Sequence, residues 1–427
     1  MFRWGIIADD LTGANDTGVQ FARFGYKTTV FLDKKMHYNY SDILVLDTDS
    51  RQRDYKSAKA HVASATKELI NAGVDRIYKK IDSVMRGNVG AELDAVCEAS
   101  ECKTVFVCPA FPSLGRIVSN GQVIVNGTLL HESQLINEKI TPVSSSRIED
   151  IIRLQSSREI MNLSPESQDV NSLKDSFSQL IGKDVIVVLD AESEEDMALY
   201  ANVFLQLNGP YIVSGSGGLA RAIACSMGEI ATPFNYLDKS CKRILVVSGT
   251  PNSMARQQID YLDENYFPVT RFSYQELIDG SSDASPVISH LLKNGVAGIA
   301  IKDTCFHGNV YANSLIIRER IADLVNQVCR ANLPDALIIC GGDTALSICQ
   351  KFGAWGLDLI GEIEVGMPYG LLQNNWGQNL AVVTKSGSFG NKQTLAHAVL
   401  SLIGNEHKYI SESRSVRAGG ENVNAAI

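Results

Sequence analysis

The chain has 427 residues, 45% of them hydrophobic and 20% charged, which is enough for two or three domains with buried cores. Its 48 acidic residues outnumber the 39 basic ones, for a formal net charge of −9. That balance argues against nucleic acid or an anionic membrane as the main partner, because both attract basic surfaces. It does not exclude a small anionic substrate, which a local basic pocket can bind.

The cysteines and the N-terminus indicate a reducing compartment. None of the nine cysteines forms a CxxC pair, and most lie in apolar runs, so we interpret them as buried thiols. No zinc-type Cys/His spacing occurs. The short apolar run after Arg3 ends at Asp9, which is not a signal-peptide pattern, and no run reaches ~18 apolar residues. We therefore expect a cytoplasmic protein.

In the first half, short apolar runs alternate with helix-period segments, among them residues 55–71 and 91–99. This alternation predicts a mainly parallel sheet with helices on both faces. The glycine-containing segment 115–130 predicts an irregular loop or a hairpin insertion, and the polar segment 144–183 indicates its helices only weakly. The predicted strands lie at residues 6–9, 28–32, 43–46, 77–81, 104–107, 185–189 and 211–213.

A second strand–helix series follows a change of composition near residue 235. We therefore predict an α/β protein of two domains, residues 1–234 and 235–427, each with a mainly parallel sheet flanked by helices. The predicted strands of the second half lie at residues 244–247, 269–272, 298–301, 336–339 and 380–383.

Two adjacent carboxylates, Asp9 and Asp10, end the first predicted strand, before a turn through Thr12 and Gly13. Open α/β sheets bind ligands at the carboxyl ends of their strands, so these side chains are candidates for a binding site. The alternative is structural. Aspartates often cap helices and fill turns.

Two further strand ends carry similar chemistry. Lys80, Asp82 and Ser83 end the strand RIYKKID, with Arg86 shortly after them, and Arg51 follows a third strand. Arginine and lysine suit a carboxylate or a phosphate, and aspartate suits hydroxyl groups. Together these residues predict a site for a polyhydroxylated acid, although a solvated strand end with surface lysines remains an alternative.

Glycine-rich segments follow three strands of the second half, at residues 248–250, 341–344 and 385–390. Glycine lets backbone N–H groups approach phosphate oxygens, and a helix N-terminus adds a partial positive charge. One such loop is weak evidence, but three predict a nucleotide-phosphate site. No Walker A motif occurs. Residues 215–220 fit a GxGxxA pattern, but helix-start glycines explain them better than a dinucleotide site.

These segments resemble the four-carbon acid sugar kinase family. The resemblance covers nearly the whole chain. It rests on ADDLTGANDTG at residues 8–18, DSR at 49–51, KKIDSVMRGNVGAEL at 79–93, PAFPSLGR at 109–116, VNGTLL at 125–130, SGSGGLA at 214–220, VVSGTPNSMARQQI at 246–259, GGDTA at 341–345 and TKSGSFG at 384–390.

The resemblance implies an N-terminal domain that binds the sugar acid and a C-terminal domain that binds ATP, with Mg²⁺ across the phosphates. The candidate catalytic residues are Asp9, Asp82 and Asp343, any of which could act as general base or Mg²⁺ ligand. No metal ligand is singled out among them. With Arg86 from the strand-end argument, the acid-binding candidates are Asp9, Arg51, Lys80, Ile81, Asp82, Ser83 and Arg86. The candidates for binding ATP are Ser248, Gly341, Gly342, Asp343, Thr344, Gly366, Lys385, Ser386, Gly387 and Ser388.

The form ADDLTGANDTGVQ is closer to the D-threonate kinase branch than to the 3-oxo-tetronate branch. We therefore predict phosphorylation of the C4 hydroxyl of D-threonate. D-Erythronate or 3-oxo-tetronate as the substrate, and a non-catalytic nucleotide-binding module on the same fold, are the alternatives. Departures from the family pattern at residues 84–85 and 249–251 concern the identity of the acid more than the reaction. We expect no nucleic-acid or membrane partner, and a homo-oligomer is the base-rate expectation.

Overall fold

The computed structural model describes residues 3–32, 41–133, 143, 145–165, 169–228, 241–302, 310–374 and 380–404. Contacts divide the chain into two compact units, residues 1–233 and 234–427. Both units are α/β, as the sequence predicts. The predicted domain boundary at residues 234 and 235 lies outside the described residues.

The first unit is built on parallel strands. Its helices are α1 (Leu11–Ala22), α2 (Tyr55–Asn71), α3 (Val89–Ser100), α4 (Ile148–Arg153), α5 (Val170–Ser178), α6 (Glu194–Gln206) and α7 (Gly217–Met227). Its strands are β1 (Trp4–Ala8), β2 (Thr28–Phe31), β3 (Ile43–Asp47), β4 (Arg76–Lys80), β5 (Thr104–Cys108), β6 (Arg116–Ser119), β7 (Gln122–Val125), β8 (Thr128–Leu129), β9 (Glu159–Leu163), β10 (Val185–Leu189) and β11 (Ile212–Gly215).

The main sheet of this unit has the order β2-β3-β1-β4-β11-β5-β10-β9, with every neighbouring pair parallel. All five residues of β1 are buried, as expected for a strand that helices cover on both faces. Gly5 is required there for packing, because a Cβ at this position would lie 2.8 Å from the Leu69 side chain of α2.

The segment 115–130, predicted as a loop or a hairpin insertion, forms a hairpin insertion. Strands β6, β7 and β8 form a separate antiparallel sheet. Gly115 begins it with φ +69°, and its backbone carbonyl accepts a hydrogen bond from Asn126 N at 2.7 Å. In the polar segment that follows, β9 forms the edge of the main sheet. Exposed polar residues along β9 hid this strand from sequence reasoning.

The second unit has strands β12 (Ile244–Ser248), β13 (Val269–Phe272), β14 (Val296–Ile301), β15 (Ala336–Cys340), β16 (Ala354–Glu362), β17 (Pro368–Asn374) and β18 (Leu380–Lys385). Its helices are α8 (Ser253–Asn265), α9 (Tyr274–Asp279), α10 (Ser285–Asn294), α11 (Val310–Ala331), α12 (Gly342–Lys351) and α13 (Thr394–Ile403).

The sheet of the second unit runs β13-β14-β12-β15-β18-β17-β16. Its first five strands are parallel, and β17 and β16 complete it as an antiparallel hairpin that the sequence reasoning did not predict. Ile244, Ile338 and Val383 from the parallel strands pack with Leu395 of α13 in a common core. No helix of the described ranges is long and apolar enough to cross a bilayer.

Candidate functional site

Three neighbouring strands of the first unit bring predicted site residues to one edge. Asp9 directly follows β1, Arg51 lies in the loop after β3, and Lys80 is the last residue of β4. Strand β1 pairs with both β3 and β4. The backbone joins the ends further, because Ser50 N and Arg51 N donate to Asp9 O at 2.9 and 3.1 Å. The predicted convergence of these three strand ends is therefore present.

The guanidinium of Arg51 binds both N-terminal carboxylates. Its Nε and Nη2 donate to the two carboxylate oxygens of Asp9 at 2.7 and 2.9 Å, and its Nη1 and Nη2 donate to those of Asp10 at 2.8 Å each. Four of the five donors that a guanidinium offers are used in this way. Arg51 thus fixes the orientation of Asp9 and Asp10.

Asp10 has a second partner that makes it a helix cap. Its Oδ1 accepts a hydrogen bond from Gly13 N at 2.9 Å, at the N-terminus of α1. The capping interpretation is therefore correct for Asp10. The carboxylate of Asp9 instead binds Arg51 in a buried position, so capping does not account for it.

Asp82 and Arg86 form a second carboxylate–guanidinium pair. Arg86 Nε and Nη2 donate to the two oxygens of Asp82 at 2.7 and 3.0 Å. The turn between them is tight, since Met85 N donates to Asp82 O at 2.9 Å and Met85 has φ +61°. A non-glycine residue rarely adopts this conformation, and here it folds Arg86 back onto Asp82.

Lys80 differs from these arginines in having no direct partner. Its side chain is buried, and its ammonium forms no hydrogen bond or ion pair with any residue that the structure describes. It faces the first turn of α1, because a Cβ at Gly13 would lie 3.1 Å from its Nζ. A buried charge is costly without a partner. This ammonium is therefore suited to an anionic ligand.

The cations keep two carboxyl groups ionised. Burial alone would raise the pKa of Asp9, but Arg51, helped by Lys79 and then by Lys80, holds it below its ordinary value. Burial opposes ionisation of Asp82 too, yet Arg86 and then Arg51 hold its pKa well below the usual range. Asp47, at the end of β3, is the opposite case. Burial and the neighbouring aspartates raise its pKa well above normal.

A buried polar network lies behind the strand ends and stabilises them. Sequence reasoning did not predict it. Lys79 Nζ lies 2.7 Å from Glu92 Oε2 in a fully buried ion pair, and it also donates to Lys80 O at 2.6 Å. Glu92 Oε1 accepts from Ser50 Oγ at 2.6 Å, and this hydroxyl bonds Thr48 Oγ1 at 2.7 Å. The partners come from different elements, so no local spacing reveals the network.

The hairpin sheet contributes one more cation to this region. Arg116, the first residue of β6, donates from Nη1 to Ser83 Oγ. Its charge also interacts with those of Asp82, Arg86 and Asp16. Sequence reasoning noted the segment PAFPSLGR but did not place its arginine in a site.

Three strand ends also meet in the second unit. Ser248, Cys340 and Lys385 are in register across β12, β15 and β18. Gly341 N donates to Lys385 O at 2.9 Å, and Gly249 N donates to Cys340 O at 3.3 Å. The three predicted glycine-rich loops are therefore neighbours.

Glycines allow these loops to approach one another closely. A Cβ at Gly249 would lie 2.1 Å from Thr344 Oγ1, and one at Gly387 would lie 2.8 Å from Thr250 Oγ1. Gly341 has φ +111° and precedes α12, whose N-terminus no side chain caps. Uncapped N–H groups and the helix dipole favour an anion, so this arrangement fits a phosphate group.

The remaining predicted residues of this unit have distinct surroundings. Lys385 is buried and donates from Nζ to the carbonyls of Ser386 and Phe389 at 2.6 and 2.9 Å, so it stabilises the loop that also holds Gly387 and Ser388. Burial lowers the pKa of Lys385. Gly366 has φ +79°, and a Cβ there would lie 3.1 Å from the Phe389 ring. Asp343 is exposed in the first turn of α12.

Comparisons with known proteins identify the family of this chain. Residues 4–223 match a family model described as a sugar-binding N-terminal domain, and residues 245–395 match a nucleotide-binding C-terminal domain. The chain is 30% identical to a D-threonate kinase of Salmonella typhimurium, over 92% of this chain and 97% of that protein. It is 29% identical to a D-erythronate kinase of Heliobacterium modesticaldum, over 94% and 98%. It is 24% identical to a 3-oxo-tetronate kinase of Pseudomonas savastanoi pv. phaseolicola, over 94% and 97%.

The fold is shared as well. A crystal structure from Salmonella typhimurium LT2 superposes with a TM-score of 0.75 at 21% identity, covering 93% of this chain and 99% of that one. The chain therefore belongs to the four-carbon acid sugar kinase family. It is a sugar-acid kinase, and its nucleotide-binding domain implies ATP as the phosphoryl donor.

Proposed function

We propose that this kinase transfers the γ-phosphoryl group of ATP to the C4 hydroxyl of D-threonate, with the acid bound by the first unit and ATP by the second. The observation that carries the proposal is the meeting of ionised Asp9 and Asp82 at neighbouring strand ends with the ammonium of Lys80, which has no partner among the residues that the structure describes. Carboxylates accept hydrogen bonds from hydroxyl groups, and the ammonium neutralises a substrate carboxylate.

D-Threonate is favoured over the other acids by the relatives and by one motif. The D-threonate kinase is 30% identical to this chain, whereas the 3-oxo-tetronate kinase is 24% identical. The segment ADDLTGANDTG supports the same choice. D-Erythronate is the second candidate, because a relative with that name is 29% identical.

In the proposed substrate site, Asp9, Asp82 and Ser83 bind hydroxyl groups, and Ile81 and Arg86 complete the wall. The role of Arg51 as a ligand of the substrate carboxylate stays a prediction. Its four hydrogen bonds to Asp9 and Asp10 support a positioning role beside it.

The general base stays open among Asp9, Asp82 and Asp343. The lowered pKa values of Asp9 and Asp82 make each a weak base but a good hydrogen-bond acceptor. Phosphoryl transfer through a loose transition state needs mainly positioning of the hydroxyl and neutralisation of charge. We therefore propose that these carboxylates orient the C4 hydroxyl.

For ATP, we propose that the loops after β12, β15 and β18 bind the phosphates, with the N-terminus of α12 facing one of them. Among the described residues, no three His, Cys, Asp or Glu side chains cluster as a metal site. Mg²⁺ in kinases usually binds the nucleotide phosphates and water with only one or two carboxylates. Exposed Asp343 in the first turn of α12 is the carboxylate that we propose for it.

The test is a coupled assay of ADP release with D-threonate, L-threonate, D-erythronate and 3-oxo-tetronate. We expect the highest kcat/KM for D-threonate, and a product in which phosphorus is bonded to the C4 oxygen by NMR. A higher kcat/KM for D-erythronate would replace the substrate within the same reaction. Absence of turnover with every four-carbon acid would refute the proposal.

A further inference from the structure

We propose that the guanidinium of Arg116, on the hairpin sheet, binds the carboxylate of the substrate and so selects acids over neutral polyols. This inference rests on the proposed function and extends it to a residue outside the strand ends. It starts from the cations of the first unit and from the partners that each of them has.

Most cations near the strand ends are already paired. Arg51 binds Asp9 and Asp10. Arg86 binds Asp82, and Lys79 binds Glu92.

Arg116 has a different environment. In the part of the chain that the structure describes, it forms no ion pair, and its single side-chain hydrogen bond is the one that Nη1 donates to Ser83 Oγ. A guanidinium has five N–H donors in a planar fork. Most of this fork is therefore available to a ligand, next to a residue of the proposed substrate site.

The hairpin sheet holds Arg116 rigidly in this place. Phe111 N donates to Arg116 O at 2.7 Å, and Arg116 N donates to Phe111 O at 3.1 Å. The turn between them depends on Gly115, because a Cβ there would lie 2.0 Å from Asn126 Oδ1. A fixed backbone reduces the entropy that the side chain loses when it binds a ligand.

The charges around Arg116 also favour an anion. Burial lowers the pKa of its guanidinium, and Asp82 only partly opposes this effect. A partly buried cation without a carboxylate partner is stabilised when an anionic group binds it. The planar fork matches the two oxygens of a carboxylate, whereas Lys80 offers a point charge that does not fix their orientation.

The test compares a four-carbon acid with its primary carboxamide, which keeps every hydroxyl group but has no charge. Wild-type enzyme and the variants Arg116→Gln, Arg116→Lys and Arg153→Gln are assayed with both compounds. Arg153 is a matched arginine of the same unit, in a solvent-exposed ion pair with Glu149 on α4.

For Arg116→Gln we expect KM for the acid to rise about 10- to 100-fold, the range for losing a charge-assisted hydrogen-bonded pair, with kcat changed much less. The preference of the wild type for acid over carboxamide should fall by the same factor. Arg116→Lys should lie between, because it keeps the charge and loses the fork. Arg153→Gln should behave as wild type.

An unchanged preference for the acid in both Arg116 variants would overturn the inference. If Arg116→Gln fails to fold, as judged by its thermal transition, Arg116→Lys decides alone through the same preference. Failure of the proposed function has a different signature. In that case the wild-type enzyme itself does not turn over any four-carbon acid.

Discussion

Asp9 and Arg51 form a two-point ion pair, with Nε and Nη2 of the arginine 2.7 and 2.9 Å from the two carboxylate oxygens. They lie 42 residues apart, and the parallel pairing of β1 with β3 brings them together. This pair links the two strand ends that begin the proposed substrate site, so its loss should affect both stability and activity.

We expect Asp9→Asn to lower kcat/KM for the acid at least 100-fold, because the amide cannot accept both guanidinium hydrogen bonds and carries no charge. The free energy of unfolding should fall by about 2 to 4 kcal/mol, near the range for breaking a buried pair. Urea unfolding and steady-state kinetics measure the two effects. Arg53→Gln, which breaks an ion pair with Asp49 that is about one-third exposed, should cost less than about 1 kcal/mol. Equal effects of the two variants would contradict this assignment.

Two lysine–glutamate pairs with the same 2.7 Å separation allow a direct test of burial. Lys79–Glu92 is fully buried, whereas Lys59–Glu98 is exposed, at 38% and 56%. Lys79→Met should destabilise the protein by about 3 to 5 kcal/mol, since it leaves the buried carboxyl group of Glu92, whose pKa burial already raises, without its cation. Lys59→Met should cost less than about 1 kcal/mol. The double variant Lys79→Met/Glu92→Leu should recover part of the loss. If it is less stable than Lys79→Met alone, the cost does not come from the unpaired carboxylate.

Gly249→Ala should raise KM for ATP about tenfold or more, an order-of-magnitude expectation for displacing a ligand loop by about 1 Å. A Cβ there would lie 2.1 Å from Thr344 Oγ1, so one of the two loops must move. Gly73→Ala is the control, because a Cβ at that position meets nothing within 4 Å and φ is +75°. It should lower stability slightly and leave KM for ATP unchanged. A KM for ATP that Gly249→Ala does not alter would place the phosphates elsewhere.

The pH dependence of stability should differ in sign between Asp82 and Asp47. The pKa of Asp82 is lowered in the folded protein, so its contribution is present above the unfolded pKa and is lost as pH falls through the folded pKa. The pKa of Asp47 is raised, so the folded protein is favoured at low pH and disfavoured as pH rises toward the folded pKa.

Urea unfolding of Asp47→Asn between pH 4 and pH 8 measures the second effect. Stability relative to wild type should increase with pH, because the variant has no carboxyl group to ionise. Asp49→Asn provides an intermediate case, for which we expect a smaller increase of the same sign, because Asp49 is one of the aspartates that raise the pKa of Asp47. A constant difference between Asp47→Asn and wild type would mean that Asp47 is ionised in the folded protein.

Much of this architecture could be predicted from the sequence. The predicted parallel strands agree with the observed ones to within two residues at each end, because buried apolar runs such as 185–189 permit few other structures. The hairpin β16–β17 was missed, since glycines interrupt its pattern and bulges break its register.

The site was predicted less completely, for a physical reason. Asp9, Arg51 and Lys80 could be found because parallel strands end at one edge. The Lys79–Glu92 pair and the contact between Arg116 and Ser83 join separate elements. Only the folded chain reveals which cations lack a partner.

The placement of Arg116 also affects how substrate range could change. The hairpin sheet is separate from the sheet that contains β1 and β4, the strands whose ends hold Asp9, Lys80 and Asp82. If recognition of the acid group resides there, residues 111–130 can be exchanged between enzymes without rebuilding the main sheet. Libraries confined to that segment would then be the economical route to a kinase for amides, esters or neutral tetritols.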